Sequence, residues 1–368
     1  MEKKIKVCFI LGGLCGGGIG RVSSIIMNEL ANISDFEMHA LLYEIPAKPE
    51  IYELNPKITK DYILENHANM TNAILKEHAI SKVANYLKKN KIDITIACGD
   101  LFYIVTMVAA KIAKTKVLCW DHTSMYAVTD QKFQRFIRKF GFWFSDFYLV
   151  LTRESFDYYK KKRKQKALYQ IYNPIENKAI KSPQYNIESK KIISVGRISY
   201  QKNFPRLLEI AHAVFQKHPD WTWDIYGSGD LDELKQRVHE LSLENNVFFK
   251  GQVNNIYERY QDYSIMVMTS RYEGFPMTLL EGAANRLPLI SFDIHTGPNE
   301  IIQNGINGFL CASSSDKEIV DRICELIENP LLRRNMSRES FETTKQFNID
   351  TIVAQWDKLL KMINDEDV

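Results

Sequence analysis

Short apolar runs recur along this chain, and amphipathic stretches of helical length separate them. The first run, Val7–Leu11, is apolar throughout, as expected of a strand in a parallel sheet covered on both faces. Phe204–Phe215 carries apolar residues at steps of three and four, which predicts a helix with one buried face. The alternation predicts an α/β protein built from doubly wound parallel sheets. Because 368 residues are too many for one hydrophobic core, we expect two such domains.

The alternation is interrupted once, between Asn173 and Ser189, where periodicity fades and Pro174 and Pro183 occur. We interpret this region as the linker between two Rossmann-like domains. The predicted divisions are residues 1–175, 190–349 and a final helical segment, 350–368. The predicted strands are Val7–Leu11, Phe36–Tyr43, Ile92–Ala97, Lys116–Trp120 and Phe147–Thr152 in the first domain, and Lys191–Gly196, Trp223–Tyr226, Val247–Lys250, Ile265–Thr269, Leu289–Phe292 and Gly308–Cys311 in the second.

Composition narrows the class of protein. Hydrophobic content of 45% and charged content of 25% are those of an ordinary soluble globular protein. The net charge of +3 is too small to indicate nucleic-acid binding. The six cysteines are scattered without a Cys-x-x-Cys pair, which favours reduced thiols in the cytoplasm. No apolar segment has the length of a membrane span, so we expect a cytoplasmic protein, at most held at the inner face of a membrane.

One stretch in the second half combines a turn, a helix start and two carboxylates. It follows an apolar, strand-like run, and Gly274 can adopt the positive φ that a sharp turn requires. Pro276 suits the first position of a helix, so the amides of Met277–Leu279 should lack partners within it. Unpaired amides and the helix dipole favour an anion, and Glu273 and Glu281 can hold hydroxyl groups. The stretch therefore predicts binding of a sugar linked to a phosphate.

Glu273 and Glu281, with seven residues between them, resemble the Glu-x7-Glu motif of retaining glycosyltransferases of the GT-B fold, in particular glycosyltransferase family 4. The intervening Gly-Phe-Pro-Met-Thr-Leu-Leu and the following Leu287–Ile290 also match. The resemblance implies two Rossmann-like domains facing across a cleft, with residues 350–368 crossing back to the first. It implies that Glu273 faces the donor sugar and that Glu281 holds the ribose. The alternative is a loop carboxylate and a helix-surface carboxylate, both solvated.

The loop Gly196–Asn203 resembles the Gly-Arg…Lys-Asn element of the same family. The resemblance implies that Arg197 and Lys202 bind the donor diphosphate. Arginine supplies a planar fork for phosphate oxygens and lysine a compact charge, and both would neutralise the departing phosphate. The alternative is a solvated basic loop capped by Asn203.

A glycine-rich loop, Gly12–Gly20, follows the first strand. By itself it also suits a dinucleotide, with Glu44 at the end of the second strand as the ribose acid. The family resemblance instead implies that Gly17 and Gly18 line the cleft and face the donor phosphates and the acceptor. Related sequences often have a glutamate where this chain has Gly20.

His122 follows the strand that ends at Trp120 and resembles the histidine that approaches the donor sugar in this family. The alternative is a structural or surface histidine. The other histidines show no zinc-site spacing. Asp230–Asp232 reads Asp-x-Asp but opens a helix, which favours capping over metal binding. No metal is predicted.

These features together predict a retaining, metal-independent hexosyl or N-acetylhexosaminyl transferase without a cofactor. The expected partners are a nucleotide sugar, with UDP favoured by the Thr296–Pro298 loop, and a saccharide or lipid-linked saccharide acceptor in cell-surface polysaccharide synthesis. The alternatives are an NAD-dependent oxidoreductase and a non-catalytic GT-B partner subunit. The predicted catalytic residues are Glu273, His122, Arg197 and Lys202, and the predicted donor-binding residues are Gly17, Gly18, Arg197, Lys202, Glu273, Gly274, Phe275, Pro276, Met277, Thr278 and Glu281.

Two basic stretches in the first half have two interpretations each. Phe133–Phe140 mixes aromatic and basic residues, and Lys160–Lys166 is a dense run of charge. They suit a buried aromatic stripe and a solvated helix end. They also suit adhesion to anionic lipid, to which each lysine or arginine adds on the order of 1 kcal/mol.

Overall fold

The computed structural model describes most of the chain, in seven segments. Pro183 and residues 163–166 of the second basic stretch lie outside them. The described residues are 3–45, 49–64, 78–124, 132–162, 167–181, 184–253 and 255–366, without the side chains of residues 44 and 132–134.

The described residues separate into two compact units, each with its own parallel sheet. The first unit falls within Met1–Thr123, Val128–Pro174 and Asp350–Val368, and the second within Ser124–Ala127 and Ile175–Ile349. The predicted α/β class with two Rossmann-like domains is therefore confirmed.

In the part of the first unit that the structure describes, the sheet has seven strands in the order β3-β2-β1-β4-β5-β6-β7. The central strand β4 and the strand β6 are buried along their whole length, as their apolar runs predict. The strands are β1 Ile5–Leu11, β2 Phe36–Glu44, β3 Thr59–Leu64, β4 Ile94–Cys98, β5 Lys116–Asp121, β6 Phe147–Val150 and β7 Ala167–Gln170. The helices of this part are α1 Gly18–Leu30, α2 His78–Asn90, α3 Tyr103–Ala113, α4 Lys132–Phe144 and α5 Arg153–Lys162.

The sheet of the second unit has six strands in the order β10-β9-β8-β11-β12-β13. Because β8 pairs with β9 on one side and β11 on the other, the strand order reverses there, and the carboxyl ends of β8 and β11 lie side by side. The strands are β8 Lys191–Val195, β9 Thr222–Tyr226, β10 Val247–Gly251, β11 Ile265–Met268, β12 Leu289–Asp293 and β13 Gly308–Ala312. The helices are α6 Phe204–Phe215, α7 Asp232–Glu240, α8 Met277–Ala284, α9 Pro298–Ile301, α10 Asp316–Glu328 and α11 Pro330–Thr343.

The connection between the two units is shorter than the predicted linker, because residues from Ile175 onward form hydrogen bonds within the second unit. The Ile175 amide donates to the Phe347 carbonyl at 2.8 Å. The Asn285 side chain donates to the Ala179 carbonyl at 2.7 Å and accepts from the Lys181 amide at 2.8 Å. Residues 175–181 are therefore part of the second unit and not a free connection.

The last helix, α12 Ile349–Asp365, belongs to the first unit from residue 350 onward. Its Trp356 is fully buried, with ring centroids 6.0 Å from Phe9 and 4.7 Å from Trp120. Lys116 Nζ donates to main-chain carbonyls of the last turn of α12 at 2.8 Å. A cation at a helix C-terminus satisfies carbonyls that have no partner within the helix. The C-terminal segment thus completes the core of the N-terminal sheet.

Candidate functional site

The loop after β8 is held close to the loop after β9 by glycines. The Gly196 amide donates to the Tyr226 carbonyl at 2.9 Å. A Cβ at Gly227 would stand 1.8 Å from the Gly196 carbonyl oxygen, and one at Gly229 would stand 2.5 Å from Ile198 Cβ. Both glycines also have positive φ. No larger residue fits at 227 or 229 unless the loop that carries Arg197 and Lys202 moves.

Lys202 and Glu273 meet beyond the neighbouring ends of β8 and β11. Lys202 Nζ lies 2.7 Å from Glu273 Oε1, and the two side chains are 16% and 8% exposed. Gln201 Nε2 donates to the other carboxylate oxygen of Glu273 at 3.2 Å. The carboxylate is thereby oriented by two donors. Because the pair is largely removed from water, its charges are screened less than those of a surface pair.

The space for Lys202 depends on Gly196. A Cβ at Gly196 would stand 2.9, 3.0 and 3.1 Å from Cε, Cδ and Cγ of Lys202. The aliphatic stem of the lysine therefore lies across the glycine. The Arg271 amide donates to the Gln201 carbonyl at 2.8 Å, and Thr269 Oγ1 donates to the Lys202 carbonyl at 3.1 Å. The loop and the stretch before Glu273 are thus joined by hydrogen bonds to the main chain.

Helix α8 begins one residue later than predicted. Pro276 has an extended ψ of 90° and occupies the N-cap position, so Met277 is the first helical residue. The prediction that the Leu279 amide lacks a partner is also wrong, because it donates to the Pro276 carbonyl at 3.0 Å. The amides of Met277 and Thr278 precede these bonds and have no acceptor within the helix. The anion site that the helix start offers is therefore one amide smaller than expected.

The turn between Glu273 and α8 is tightly packed. Gly297 has φ of +102°, and a Cβ there would stand 2.7 Å from Pro276 Cδ and 3.3 Å from Glu273 Cβ. Thr296 Oγ1 donates to the Glu273 carbonyl at 2.5 Å. Phe275 is buried, with its ring 5.4 Å from that of Phe347. The segment Thr296–Gly297 thus fixes the backbone that presents Glu273.

Glu281 is fully buried on α8, and its Oε2 accepts from the hydroxyl of Tyr260 at 2.8 Å. Tyr260 is itself fully buried. Both lie in the second unit. The carboxylate of Glu281, which is predicted to bind the ribose, is therefore held in one orientation. The residue that holds it, Tyr260, lies outside the sequence motif.

The remaining predicted donor residues of the second unit differ in exposure. Arg197 is exposed, and no hydrogen bond or ion pair joins its side chain to the described residues. Gly274 and Met277 are partly exposed, and the prediction of a positive φ at Gly274 is wrong, because in this part of the second unit Gly297 and not Gly274 has that conformation. Thr278 Oγ1 is buried and has no hydrogen-bond partner in the described structure. The structure brings Lys202 to Glu273 but does not bring Arg197 to either of them.

Asn203 does not cap α6 as the alternative interpretation of this loop assumed. It occupies the N-cap position with φ of 57°, but its side chain makes no capping hydrogen bond. Its Oδ1 is buried without a partner among the described residues. Asn203 instead adopts the left-handed backbone conformation of the turn that leads from Lys202 into the helix.

In the first unit, α1 starts at Gly18, so the last three residues of the predicted glycine loop, Gly12–Gly20, belong to the helix. Gly17 is the N-cap with φ of 83°, a conformation that glycine adopts without strain. A Cβ at Gly20 would stand 2.7 Å from the Gly13 carbonyl oxygen, so the glutamate often found at this position in related sequences does not fit. The roles of Gly17 and Gly18 stay predictions. Glu44 ends β2, but its side chain lies outside the described residues.

His122 follows the last residue of β5, Asp121, on a well-anchored turn. Asp121 Oδ2 accepts from the hydroxyls of Tyr148 and Tyr159 at 2.9 and 3.1 Å, and Oδ1 accepts from the Thr123 amide at 3.1 Å. The His122 ring lies 4.1 Å from that of Trp120. Its Nε2 is buried without a hydrogen-bond partner among the described residues.

Burial lowers the pKa of His122 to about 3. The imidazole is therefore neutral near pH 7. It can donate or accept a hydrogen bond but does not supply a positive charge. Its role toward a donor sugar stays a prediction.

A metal-binding cluster, a disulfide or a membrane-spanning helix would each indicate a different kind of protein. In the described segments, no group of three or more His, Cys, Asp or Glu side chains is placed to hold a metal ion. Asp230 Oδ1 accepts from the Asp232 amide at 3.0 Å, which is local turn bonding. All six cysteines lie in described segments, and none of them forms a disulfide. None of the described helices has the length and apolar character to cross a bilayer.

The aromatic and basic stretch lies on α4, and its aromatic side chains are not all buried. Phe136 is exposed and Phe140 is half-buried, so the interpretation as a buried stripe is wrong for Phe136, while the side chain of Phe133 lies outside the described residues. Of the second stretch, Lys160, Lys161 and Lys162 form the exposed end of α5.

Three side chains that orient the two glutamates are not among the predicted site residues. Gln201 and Thr296 hold Glu273, and Tyr260 holds Glu281. Gln201 precedes Lys202 in the loop, and this position is the only signal that could have indicated it. Tyr260 is 21 residues from Glu281 in the sequence, and nothing in the pattern connects them.

Residues 176–343 match the sequence model of the family described as glycosyl transferases group 1. This region covers most of the second unit and includes both loops that carry Lys202 and Glu273. The second unit is therefore similar to group 1 glycosyl transferases over nearly its whole length.

Two relatives align with the chain over nearly their whole length. A protein of Haemophilus influenzae described as an uncharacterized glycosyltransferase is 27% identical, over 96% of this chain and 98% of its own. The amylovoran biosynthesis glycosyltransferase AmsD of Erwinia amylovora is 26% identical, over 96% of this chain and 99% of its own.

A solved structure with the same fold is that of a point mutant of S. aureus TarM in complex with fondaparinux, alpha-GlcNAc-glycerol and UDP. It superposes with a TM-score of 0.81 over 97% of this chain and 99% of that one, at 15% identity. The likeness shows that the two Rossmann-like domains of this chain have the GT-B fold.

Proposed function

We propose that this chain is a retaining glycosyltransferase of family 4 that moves a sugar from a nucleotide diphosphate donor to a saccharide hydroxyl. The donor is UDP-hexose or UDP-N-acetylhexosamine, and the acceptor is a saccharide, free or lipid-linked, in cell-surface polysaccharide synthesis. The match of residues 176–343 to group 1 glycosyl transferases supports the activity. AmsD, named for amylovoran biosynthesis, supports the acceptor class, and the UDP bound to TarM supports the nucleotide.

The observation that carries the proposal is the Lys202–Glu273 pair at the strand-order reversal of the second sheet. A cation and a carboxylate 2.7 Å apart stand where parallel sheets bind ligands, next to the first turn of α8. A sugar diphosphate needs this combination, because its diphosphate requires cations and amides and its sugar hydroxyls require a carboxylate.

The proposed roles follow from these groups. Arg197, Lys202 and the amides of Met277 and Thr278 stabilise the diphosphate as the bond between the anomeric carbon and its phosphate oxygen breaks. Glu273 orients the sugar, and Glu281 orients the ribose. The acceptor hydroxyl attacks the anomeric carbon from the leaving-group side, and its proton passes to the departing phosphate oxygen.

This route needs neither a carboxylate nucleophile nor a metal or other cofactor. The protein cations neutralise the charge that grows on the leaving group. The six cysteines, all in described segments, form no disulfide, which fits the reducing cytoplasm, where we propose that the enzyme works.

Donor binding is tested by thermal shift with UDP-N-acetylglucosamine, UDP-glucose, GDP-mannose and NADH. Because a ligand that binds the folded state raises the melting temperature, we expect stabilisation by a UDP-sugar and none by NADH. Stabilisation by NADH alone would instead indicate the oxidoreductase alternative. Donor hydrolysis without acceptor separates an active enzyme from a non-catalytic partner subunit.

Turnover of the variants Arg197→Ala, Lys202→Ala and Glu281→Ala tests the site. Each removes a charge-assisted contact made in the transition state, so we expect a loss of about 30–150-fold in rate. The exposed Lys235 on α7 provides the control Lys235→Ala, which should keep the wild-type rate. Rates within about twofold of wild type for Arg197→Ala and Glu281→Ala would show that the site is wrongly assigned.

A further inference from the structure

The helix α4 in the first unit carries an exposed row of aromatic rings. Phe136, Trp143 and Phe144 are 58%, 47% and 66% exposed. The Phe136 and Phe144 rings flank that of Phe140, with centroid distances of 6.2 and 4.6 Å. Large aromatic residues are normally covered, and a contiguous exposed set indicates a surface that binds something.

Basic residues lie along the same side of the helix. Arg135 and Lys139 are exposed, one turn apart, beside the aromatic row, while Ile137, Arg138 and Phe142 of the same helix are buried. No aspartate or glutamate occurs between residues 132 and 144. The exposed face thus combines aromatic rings with positive charge and carries no negative charge of its own.

A second cluster of positive charge follows on the neighbouring helix. Tyr159 of α5 packs against Phe142 of α4 at a ring-centroid distance of 4.6 Å. The helix α5 ends at Lys160, Lys161 and Lys162, all exposed. Both neighbouring helices therefore add cations to this part of the first unit.

We propose that the exposed face of α4, formed by Arg135, Phe136, Lys139, Phe140, Trp143 and Phe144, docks on the surface of a membrane that contains anionic phospholipid. Aromatic and basic side chains on one face of a helix are the combination that lies in the membrane interface, with the rings among the acyl chains and the cations at the headgroups. The charge of the face selects an anionic surface and disfavours a basic or neutral partner. A lipid-linked acceptor would be met at such a surface.

Flotation of the purified full-length protein with lipid vesicles tests the proposal. We expect binding to vesicles of phosphatidylcholine with about one-third phosphatidylglycerol and weak binding to phosphatidylcholine alone, with salt reducing the difference. The variant Phe136→Gln/Phe144→Gln should lower the partition coefficient at least about tenfold. The control Leu331→Gln, at a side chain 68% exposed on α11, should not lower it.

The charge contribution is measured with Arg135→Gln/Lys139→Gln. Loss of two cations should reduce partitioning into the anionic vesicles roughly 30-fold at low salt. The control Lys88→Gln/Lys89→Gln removes two exposed cations from α2 and should have a small effect. Equal losses in the two pairs would overturn the assignment of the surface to α4.

Trp143 gives a direct optical signal. All five tryptophans of the chain lie in described segments, and Trp120, Trp221, Trp223 and Trp356 are buried. Addition of anionic vesicles should shift the tryptophan emission to the blue and protect it from acrylamide, and Trp143→Phe should abolish both changes.

Three results would refute the proposal: no flotation of the wild type, no effect of the phenylalanine changes, or a wild-type dimer that Phe136→Gln/Phe144→Gln converts to a monomer. The last would make this face a protein interface. Melting temperatures within about 2 °C of wild type show that the exposed changes leave the fold intact. Vesicle binding is measured without donor or acceptor, so its failure is distinct from failure of the proposed sugar transfer.

Discussion

Gly196 provides the space in which the side chain of Lys202 lies, and this makes it a test of the Lys202–Glu273 pair. In Gly196→Ala the new methyl group would displace the lysine stem, which stands 2.9–3.1 Å from the built Cβ. Because a lysine stem is flexible, we expect the fold to persist while Lys202 shifts away from Glu273. Turnover should fall about tenfold, with a change in the free energy of unfolding below about 1 kcal/mol.

A double variant separates this effect from general damage. Alanine at position 202 has no Cγ, Cδ or Cε for the methyl group to meet. Gly196→Ala should therefore cost nothing further in the Lys202→Ala background. If Gly196→Ala still lowered turnover tenfold in the Lys202→Ala background, Gly196 would not act by making space for the lysine side chain.

Because the side chain of His122 is buried, we expect the stability of the first unit to depend on pH. Burial lowers its pKa from 6.5 to about 3 in the folded protein, so between these values the unfolded chain binds the additional proton. The free energy of unfolding therefore loses up to about 1.4 kcal/mol per pH unit as pH falls below 6.5, and the loss is absent above it.

The variant His122→Phe keeps a ring against Trp120 but cannot titrate. Relative to wild type, it should gain about 1.4 kcal/mol between pH 7.5 and pH 5.5 in urea unfolding monitored in the first unit. Other titrating groups cancel in the difference. An unchanged difference between the two pH values would mean that the imidazole is solvated in the folded protein.

At the scale of elements, the sequence was informative where strands are buried on both faces. All six strands of the second sheet were predicted. Five of them are mostly buried, and the edge strand β10 was found from the short apolar run Val247–Phe249, which the structure leaves partly exposed. The strands β3 and β7 at the two edges of the first sheet were missed. Thr59–Leu64 is exposed over its first half and Ala167–Gln170 is half-buried throughout, so neither shows an apolar run.

Element boundaries and partners were less predictable, for physical reasons. The start of α8 depends on the ψ angle of Pro276, which the residue type does not set. The residues that orient the carboxylates come from other loops, with Gln201 separated from Glu273 by 72 positions. The hydrophobic periodicity of α4 shows that the helix has a distinct face but does not show what covers that face. The sequence therefore could not predict whether the aromatic row is buried.

At the scale of the whole molecule, the two ends of the chain share one core. Trp356 comes from the C-terminal helix but lies fully buried against Phe9 of β1 and Trp120 of β5. The first unit is therefore incomplete until the last 20 or so residues of the chain are present. A chain that ends before α12 should expose this apolar surface and aggregate through its N-terminal sheet.

The substitution Trp356→Ala tests this dependence without shortening the chain. Loss of a buried tryptophan should destabilise the first unit by about 3–5 kcal/mol and leave the second unit unchanged. Trp223→Ala is the matched control, because Trp223 is equally buried on β9 of the second unit. Amide hydrogen exchange reads each unit separately. Trp356→Ala should speed exchange in β1 and β5 and not in β8, and Trp223→Ala should do the reverse. Equal acceleration in both sheets by either change would mean that the two units unfold as one.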